Sequence, residues 1–405
     1  MHRQRLSSRP SGFFVVAAFL SLASCGGSDG GGQAPPVTLS NSSGGGSSGG
    51  SPPPGNTAQS CPDPGTSTLP VTTCMSDAGR QRIRGLLLSA IADGTIMQLH
   101  GGFDPRHYPG EVIATAMGVA EDTGDGALMA WAQAEILRVR DRIAASQGVL
   151  IWPQQIDGAP TFGELAQARL VLSMALIYRA TRNDAARETA VNAFNALQRF
   201  PRLPVRSSIT GRTYTLPAYA FHNPANPTAI SGRTLDPNHD AVLAAAYAVM
   251  ATHVLTDPVQ AQAAAQEADH FHAAAEDMAH AGRCLPLADD PVYVNACDTR
   301  YNGYWGFSLE TYAAMRPASS ARRTIDVQFA YARAALNAFQ TSRTYPAVLN
   351  GDYPDPVEPL AFWGALRRNM SATEVGVFVQ RTNALIENGP LSDWPRGNLY
   401  PKYYQ

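Results

Sequence analysis

Several features are missing from this sequence, and each absence narrows the reading. After the first two dozen residues, no apolar run is long enough to cross a bilayer as a helix. No basic run follows either, and the formal net charge is -2, so nucleic acid is not an expected partner. There is no Ser-centred nucleophile elbow, no Gly-rich phosphate loop and no dinucleotide fingerprint. No fixed repeat period marks a solenoid, and strand signals are weak. The five cysteines include no Cys-x-x-Cys pair of the kind zinc sites prefer.

The chain begins with a distinctive segment. Arg3, Arg5 and Arg9 precede an apolar run from Phe13 to Leu22, and Leu22-Ala23-Ser24-Cys25 closes it. A basic start, a short apolar stretch and small residues before a cut are the marks of a signal peptide spanning 1–24. The Leu-Ala-Ser-Cys ending resembles a bacterial lipobox, which implies lipidation of Cys25. Gly26 follows, which by analogy with lipoproteins of enteric bacteria favours the outer membrane. The expectation is therefore a cell-envelope protein whose only contact with a membrane is its lipid anchor. Residues 25–60 are nearly all Gly, Ser, Pro, Asn and Gln. Such a segment cannot bury enough surface to offset its ordering entropy and reads as a flexible tether.

Residues 61–405 form the third unit, a single helical domain expected to be monomeric. Four cysteines fall in two local pairs, Cys61 with Cys74 and Cys284 with Cys297, each enclosing a Pro-bearing loop. In an exported protein an even count favours disulfides, and local pairing is the expected connectivity of the three possible. Apolar residues recur at helical spacing near 79–93, 109–121, 124–145, 162–182, 184–199, 238–255, 257–281, 302–315, 320–341, 357–368 and 372–388. A short β segment is conceivable at Arg212–Leu216. The connections alternate between short turns and long loops, the long ones at 94–108, 146–161, 200–237, 282–301 and 342–356. Antiparallel helices joined this way place every long loop on one face. The pattern predicts an all-α fold, an (α/α)5–6 toroid, incomplete or closed, with inner helices beginning near 109, 162, 238, 302 and 357. An irregular bundle is the alternative. The inner N-termini would open into one funnel, and helix N-termini favour anions.

Polar and aromatic residues gather at those starts. His107 and Tyr108 precede Pro109, and His222 and Asn223 sit on the loop before the next candidate. There Asp236 reads as an N-cap with Pro237 in the first helical position, which puts Asn238 and His239 in the first turn. Arg300, Tyr301, Tyr304 and Trp305 follow the Cys284–Cys297 loop, and Trp152 lies on another long loop. Aromatic rings with polar tips can stack on sugar faces and hydrogen-bond to them, although a buried aromatic cluster would look the same. His272, Glu276 and His280 share one face of a helix at metal-chelating spacing. That helix is expected to be an outer one, so the set reads as a solvated polar face, and no metal is expected.

Asn238-His239, followed by Arg300 with Tyr301 or Tyr304, resembles polysaccharide lyases built on the (α/α) toroid, such as the alginate lyase families. The likeness spans roughly 75–390 on short motifs, and the Asp-Ala-Val after the His departs from the alginate lyase pattern. It implies β-elimination on an anionic polysaccharide or oligosaccharide without any cofactor. Asn238 and Arg300 would neutralise a uronate carboxylate, His239 or a Tyr would take the proton, and Tyr304 would protonate the leaving oxygen. Substrate contacts would fall to His107, Tyr108, Trp152, His222, Asn223 and Trp305. Two alternatives stand beside it. A glycoside hydrolase needs two carboxylates across the bond, for which Glu111, Glu164, Asp240, Glu310 and Glu358 are candidates. A non-catalytic glycan-binding or assembly lipoprotein would share the aromatic groove without an acid–base set.

Overall fold

The computed structural model describes residues 71–94, 96, 109–150, 152–156, 159–222, 228–229, 233–278, 299–318, 371–388, 400 and 402–404. The signal segment, Cys25, the tether, Cys61, Cys284 and Cys297 lie outside them. So do the helices expected near 320–341 and 357–368, with two of the hairpins that a count of five or six needs.

The helices fall into two kinds that alternate along the chain. In α2 (Pro109–Thr123), α4 (Glu164–Thr181) and α6 (Pro237–Val249), nearly every residue of the first three turns is buried on all sides. A helix covered all round must be surrounded by others. Between them α3 (Gly126–Ala145), α5 (Asp184–Leu197) and α7 (Pro258–Asp277) bury one stripe each. On α3 that stripe is Leu128, Ala132, Ile136, Val139 and Ile143, at helical spacing. The inner helices pack in series, α2 on α4, α4 on α6 and α6 on α8 (Thr299–Met315), and each outer helix lies against the inner helix before it. The ends meet as well: α1 (Asp77–Ala92) packs on α2 and on α9 (Ala372–Asn388), the last α-helix described. The architecture is an α/α toroid, as the alternating loop lengths predicted.

Small residues let the inner layer close up. Ala241, Ala244, Ala245, Ala246 and Ala248 run through α6. A methyl added at Gly110 on α2 would stand 2.6 Å from Ser173 Cβ on α4, so only a hydrogen fits at this crossing. Tyr247 on α6 is wedged edge-on between Phe194 of α5 (4.8 Å) and Phe271 of α7 (5.1 Å), tying the two layers.

The long loops carry more strand than expected. Strands β1 (Trp152–Ile156), β2 (Ala159–Gly163), β5 (Ala220–His222) and β6 (Thr228–Ala229) form an antiparallel sheet in the order β1-β2-β5-β6. Because β2 runs to Gly163, α4 begins at Glu164, two residues later than its periodicity suggested. Strands β3 (Arg202–Arg206) and β4 (Thr213–Pro217) make a hairpin, and β4 covers the segment where a strand was conceivable. Gly211 turns it at φ 73, a left-handed backbone that favours glycine. The hairpin rests on α7 through Tyr214 Oη to the Ala273 carbonyl (3.2 Å) and Arg202 to Glu267 (2.6 Å). Helix α6 does not run on regularly to 255 but passes into a π-helical turn at Met250–Val254.

The C-terminus is fastened to the helix ends opposite those starts. Tyr400 receives from Arg80 Nε (3.1 Å) and donates to Asp122 (2.5 Å), and Tyr403 donates to Glu121 (2.5 Å). Lys402, the one lysine of the chain, bridges Glu121 (2.9 Å) and Asp122. Cys74, just before α1, is disulfide-bonded. Among the described residues, no helix is long and apolar enough to cross a membrane.

Candidate active site at the inner-helix mouth

The N-terminal ends of α2, α4 and α6 are joined by charge. Asp236 caps α6, its backbone extended (φ -136, ψ 101) and its Oδ1 accepting from the Asn238 N–H (3.1 Å) and the His239 N–H (3.2 Å). This is the cap that Asp-Pro at a helix start calls for. It fixes Asn238 and His239 in the first turn. Asn238 is buried, and its Oδ1 has no hydrogen-bond partner among the described residues.

His239 does not stand alone. Its Nδ1 lies 2.7 Å from Glu164 Oε1, and its Nε2 lies 3.6 Å from Asp236 Oδ2. Its ring meets Tyr219 edge-on at 5.1 Å. Glu164 is the first residue of α4, and its N–H donates to the Tyr219 carbonyl (3.2 Å). Arg233 reaches two carboxylates, donating to Glu164 Oε1 (2.5 Å) and to Asp240 Oδ1 (2.5 Å). Its guanidinium stacks 4.3 Å from the Tyr219 ring centroid, a cation–π contact. Asp240 Oδ2 accepts from the Asp236 N–H (3.1 Å), which ties the cluster back to the cap.

The electrostatics follow from these contacts. Burial favours neutral His239, but the carboxylates of Asp236 and Glu164 outweigh it and raise the imidazole above its ordinary value. Burial pushes Asp240 up to about 6, with Arg233 opposing and Asp236 assisting. Burial, reinforced by Asp236, holds the Tyr219 phenol above its usual range, and Tyr219 also bonds Thr234. Tyr219 thus stays a neutral phenol propped against Arg233.

Beside this cluster, Glu111 in the first turn of α2 meets Arg169 of α4 in a buried two-pronged pair (2.5 and 2.9 Å). Glu111, Glu164 and Asp240, three of the candidate hydrolytic carboxylates, are thus each bound by a buried arginine. Glu310, half-buried, lies about three turns along α8 from its start, and Glu358 lies outside the described residues.

The remaining predicted residues distribute as follows. Arg300, Tyr301, Tyr304 and Trp305 lie within the first turns of α8, which begins at Thr299, three residues before the expected start. Trp152 opens β1 and His222 closes β5, so the mouth sheet carries both. His107, Tyr108 and Asn223 lie outside the described residues. The expectation of a solvated face on α7 is corrected. His272 is 2 % exposed, stacked on Tyr312 of α8 at 4.4 Å, and Asp269 binds Tyr312 Oη (2.7 Å) and Arg316 (2.5 Å). These polar groups cement the α7–α8 interface, while His280 is not described. No group of three or more His, Cys, Asp or Glu that could hold a metal occurs among the described residues.

Arg233 was not singled out from the sequence, and Tyr219 was read as one of several loop aromatics that favour a sugar-binding groove. Arg233 sits in a loop, 69 residues from Glu164, and no periodicity or motif marks it.

No family model matches the chain, and no curated protein matches it. Two solved structures are similar. One is an unsaturated glucuronyl hydrolase from Bacillus sp. GL1, responsible for the degradation of glycosaminoglycan. The other is a UGL variant with dGlcA-Glc-Rha-Glc. Each is 14% identical and covers 76% of this chain and 80% of its own, with a TM-score of 0.45. At that level of likeness, neither their chemistry nor their ligand carries over to this chain.

Proposed function

We propose that this chain is a lipid-anchored, glycan-active enzyme of the cell envelope, a lyase that cleaves a uronate-containing polysaccharide by β-elimination. The observation that carries this reading is the α6 first turn. Asn238 and a His239 flanked by two carboxylates sit at the N-terminus of a buried inner helix, beside mouth carboxylates already bound by arginines. Such a turn offers a cation, an amide and the positive end of a helix to an anionic group.

In this reading the substrate carboxylate docks against Asn238, His239 and Arg300, which withdraw charge from C5. Because Glu164 and Asp236 hold the His239 proton in place, proton removal falls to the phenolate of a tyrosine of α8, Tyr304 or Tyr301, which thereby becomes the phenol. The C5–H bond breaks, a C4–C5 double bond forms, and the C4–O bond breaks with its electrons on the leaving oxygen. That oxygen takes up a proton from the tyrosine. Trp152, His222, Asn223, His107, Tyr108 and Trp305 would line the path of the glycan. No cofactor is required. The chain would act as a monomer at the outer membrane, held by acyl groups on Cys25, which mass spectrometry of the N-terminal peptide would detect.

Hydrolysis is the second reading, favoured by Asp240, whose raised value of about 6 would suit a general acid. Against it, Asp240 and Glu164 are 0 % and 1 % exposed at their side chains, so no sugar reaches them in this arrangement. Incubation with anionic polysaccharides, read by the ultraviolet absorbance of unsaturated uronate ends, tests the proposal. Absorbance should rise with the wild type and fall at least about a hundredfold in rate with His239→Ala or Tyr304→Phe, the loss expected when an electrostatic or acid–base group is removed.

A further inference from the structure

Glu164 does something that a general salt bridge would not require. One of its oxygens, Oε1, accepts from both Arg233 (2.5 Å) and His239 Nδ1 (2.7 Å). An ionised carboxylate has no proton to give, so Nδ1 must carry one. The other ring nitrogen faces a second carboxylate, Asp236 Oδ2, at 3.6 Å. A ring with a carboxylate bonded to one nitrogen and a second carboxylate near the other is placed where its protonated form is favoured. We infer that Glu164 is a positioning residue, pinned by Arg233, that presents His239 to the ligand as a fixed cation.

This assignment rests on the lyase reading for its purpose, but not for its geometry. Among the described residues, the groups facing His239 come from four segments. They are Glu164 of α4, Arg233 and Asp236 from the segment entering α6, Tyr219 from the segment after β4, and Asp240 on α6 itself. Three carboxylates stand against the cations Arg233 and His239. With His239 protonated the cluster carries one net negative charge, and with it neutral the cluster carries two. Loss of the His239 proton would double that negative charge and remove the cluster's cation whose side chain is partly exposed, 14% against 0% for Arg233. Arg233 cannot receive the substrate, since it is wholly buried with both arms committed.

The cation is held in place from outside the helix that bears it. Glu164 is fixed by being the first residue of α4, by its N–H bond to Tyr219 and by Arg233, whose other arm grips Asp240. The same links hold the Asp236 cap, so the ring cannot swing outward without breaking this set of contacts.

The experiment is an NMR titration of the full-length protein labelled on its histidine rings, with His239 assigned by its loss in His239→Asn. Glu164→Gln keeps the shape and the bond to Arg233 but removes the charge, and its His239 titration should move down by about one pH unit. Asp236→Asn keeps the cap and should move it the same way, so the test survives failure of either variant to fold. With a uronate polysaccharide, KM in Glu164→Gln should rise about tenfold above the His239 titration. It should return towards wild type below it, with kcat little changed. A His239 titration that stays put in both variants overturns the assignment, as does a KM loss that is equal at every pH. If the titration moves as expected but the wild type forms no unsaturated ends, the positioning of His239 stands and the lyase reading fails.

Discussion

Gln167→Leu should be among the most damaging single changes outside the mouth. Gln167 sits on α4 with no exposure and makes three hydrogen bonds to backbone. Its Oε1 accepts from the Leu150 N–H (2.7 Å), and its Nε2 donates to the carbonyls of Gly148 and Ala193 (2.8 Å each). It thus fastens the exit of α3 to α4 and to α5. That exit is already tight, because Gly148 stands at φ 91 and a Cβ there would lie 2.3 Å from the Asn192 carbonyl. Leucine fills the volume but strands two buried backbone groups, the Leu150 N–H and the Gly148 carbonyl, each at about 1–3 kcal/mol, and removes a second bond to the Ala193 carbonyl, which keeps its bond within α5. Partial relaxation should leave a net loss of about 3–5 kcal/mol. In a domain of this size that corresponds to a fall in Tm of roughly 4–7 °C. Equilibrium urea unfolding measures the loss, and hydrogen exchange at the Leu150 amide localises it. A loss under about 1 kcal/mol with Leu150 still protected would refute the reasoning.

Other consequences can be checked alone. Gly110→Ala should cost about 1–3 kcal/mol by pushing α2 off Ser173, and Ser173→Gly should restore most of it in a double-mutant cycle. Tyr400→Phe removes the phenol that joins Arg80 to Asp122, and should cost about 1–2 kcal/mol in urea unfolding and speed proteolysis of the C-terminus. Asp240 titrates near 6 when folded, above the ordinary carboxylate value of 3.8. Its contribution to stability is therefore present at low pH and lost as pH rises through about 6. The unfolding free energy of the wild type minus that of Asp240→Asn should fall between pH 4 and pH 7. A flat difference would show that Asp240 is not so perturbed.

Much of the scaffold was legible because its signals are local. Asp236-Pro237 marks a cap, Pro109 marks a helix start, and the alternation of short and long loops gave the two layers. The strands were less legible: β1 and β2 pair within a loop whose residues, such as Pro153 and Gly163, do not alternate in polarity. What lay beyond reading is non-local. Glu111 and Glu164 look like ordinary acids at helix starts, placed for the dipole. Only the fold brings Arg169 and Arg233 to them and turns candidate acids into anchors. The C-terminal Tyr400, Lys402 and Tyr403 find partners some 280 residues away by the same route. His272, read as part of a solvated face, is buried because Tyr312 of α8 stacks on it.

The central claim, that an anionic glycan is cleaved by elimination at the α6 mouth, is tested most directly by one incubation. The protein is mixed with uronate polysaccharides, and ultraviolet absorbance and reducing ends are followed in the same reaction. The account predicts that both rise together and that His239→Ala abolishes both. Reducing ends without absorbance would contradict it in favour of hydrolysis, and glycan binding with neither signal would contradict it in favour of a non-catalytic glycan-binding lipoprotein.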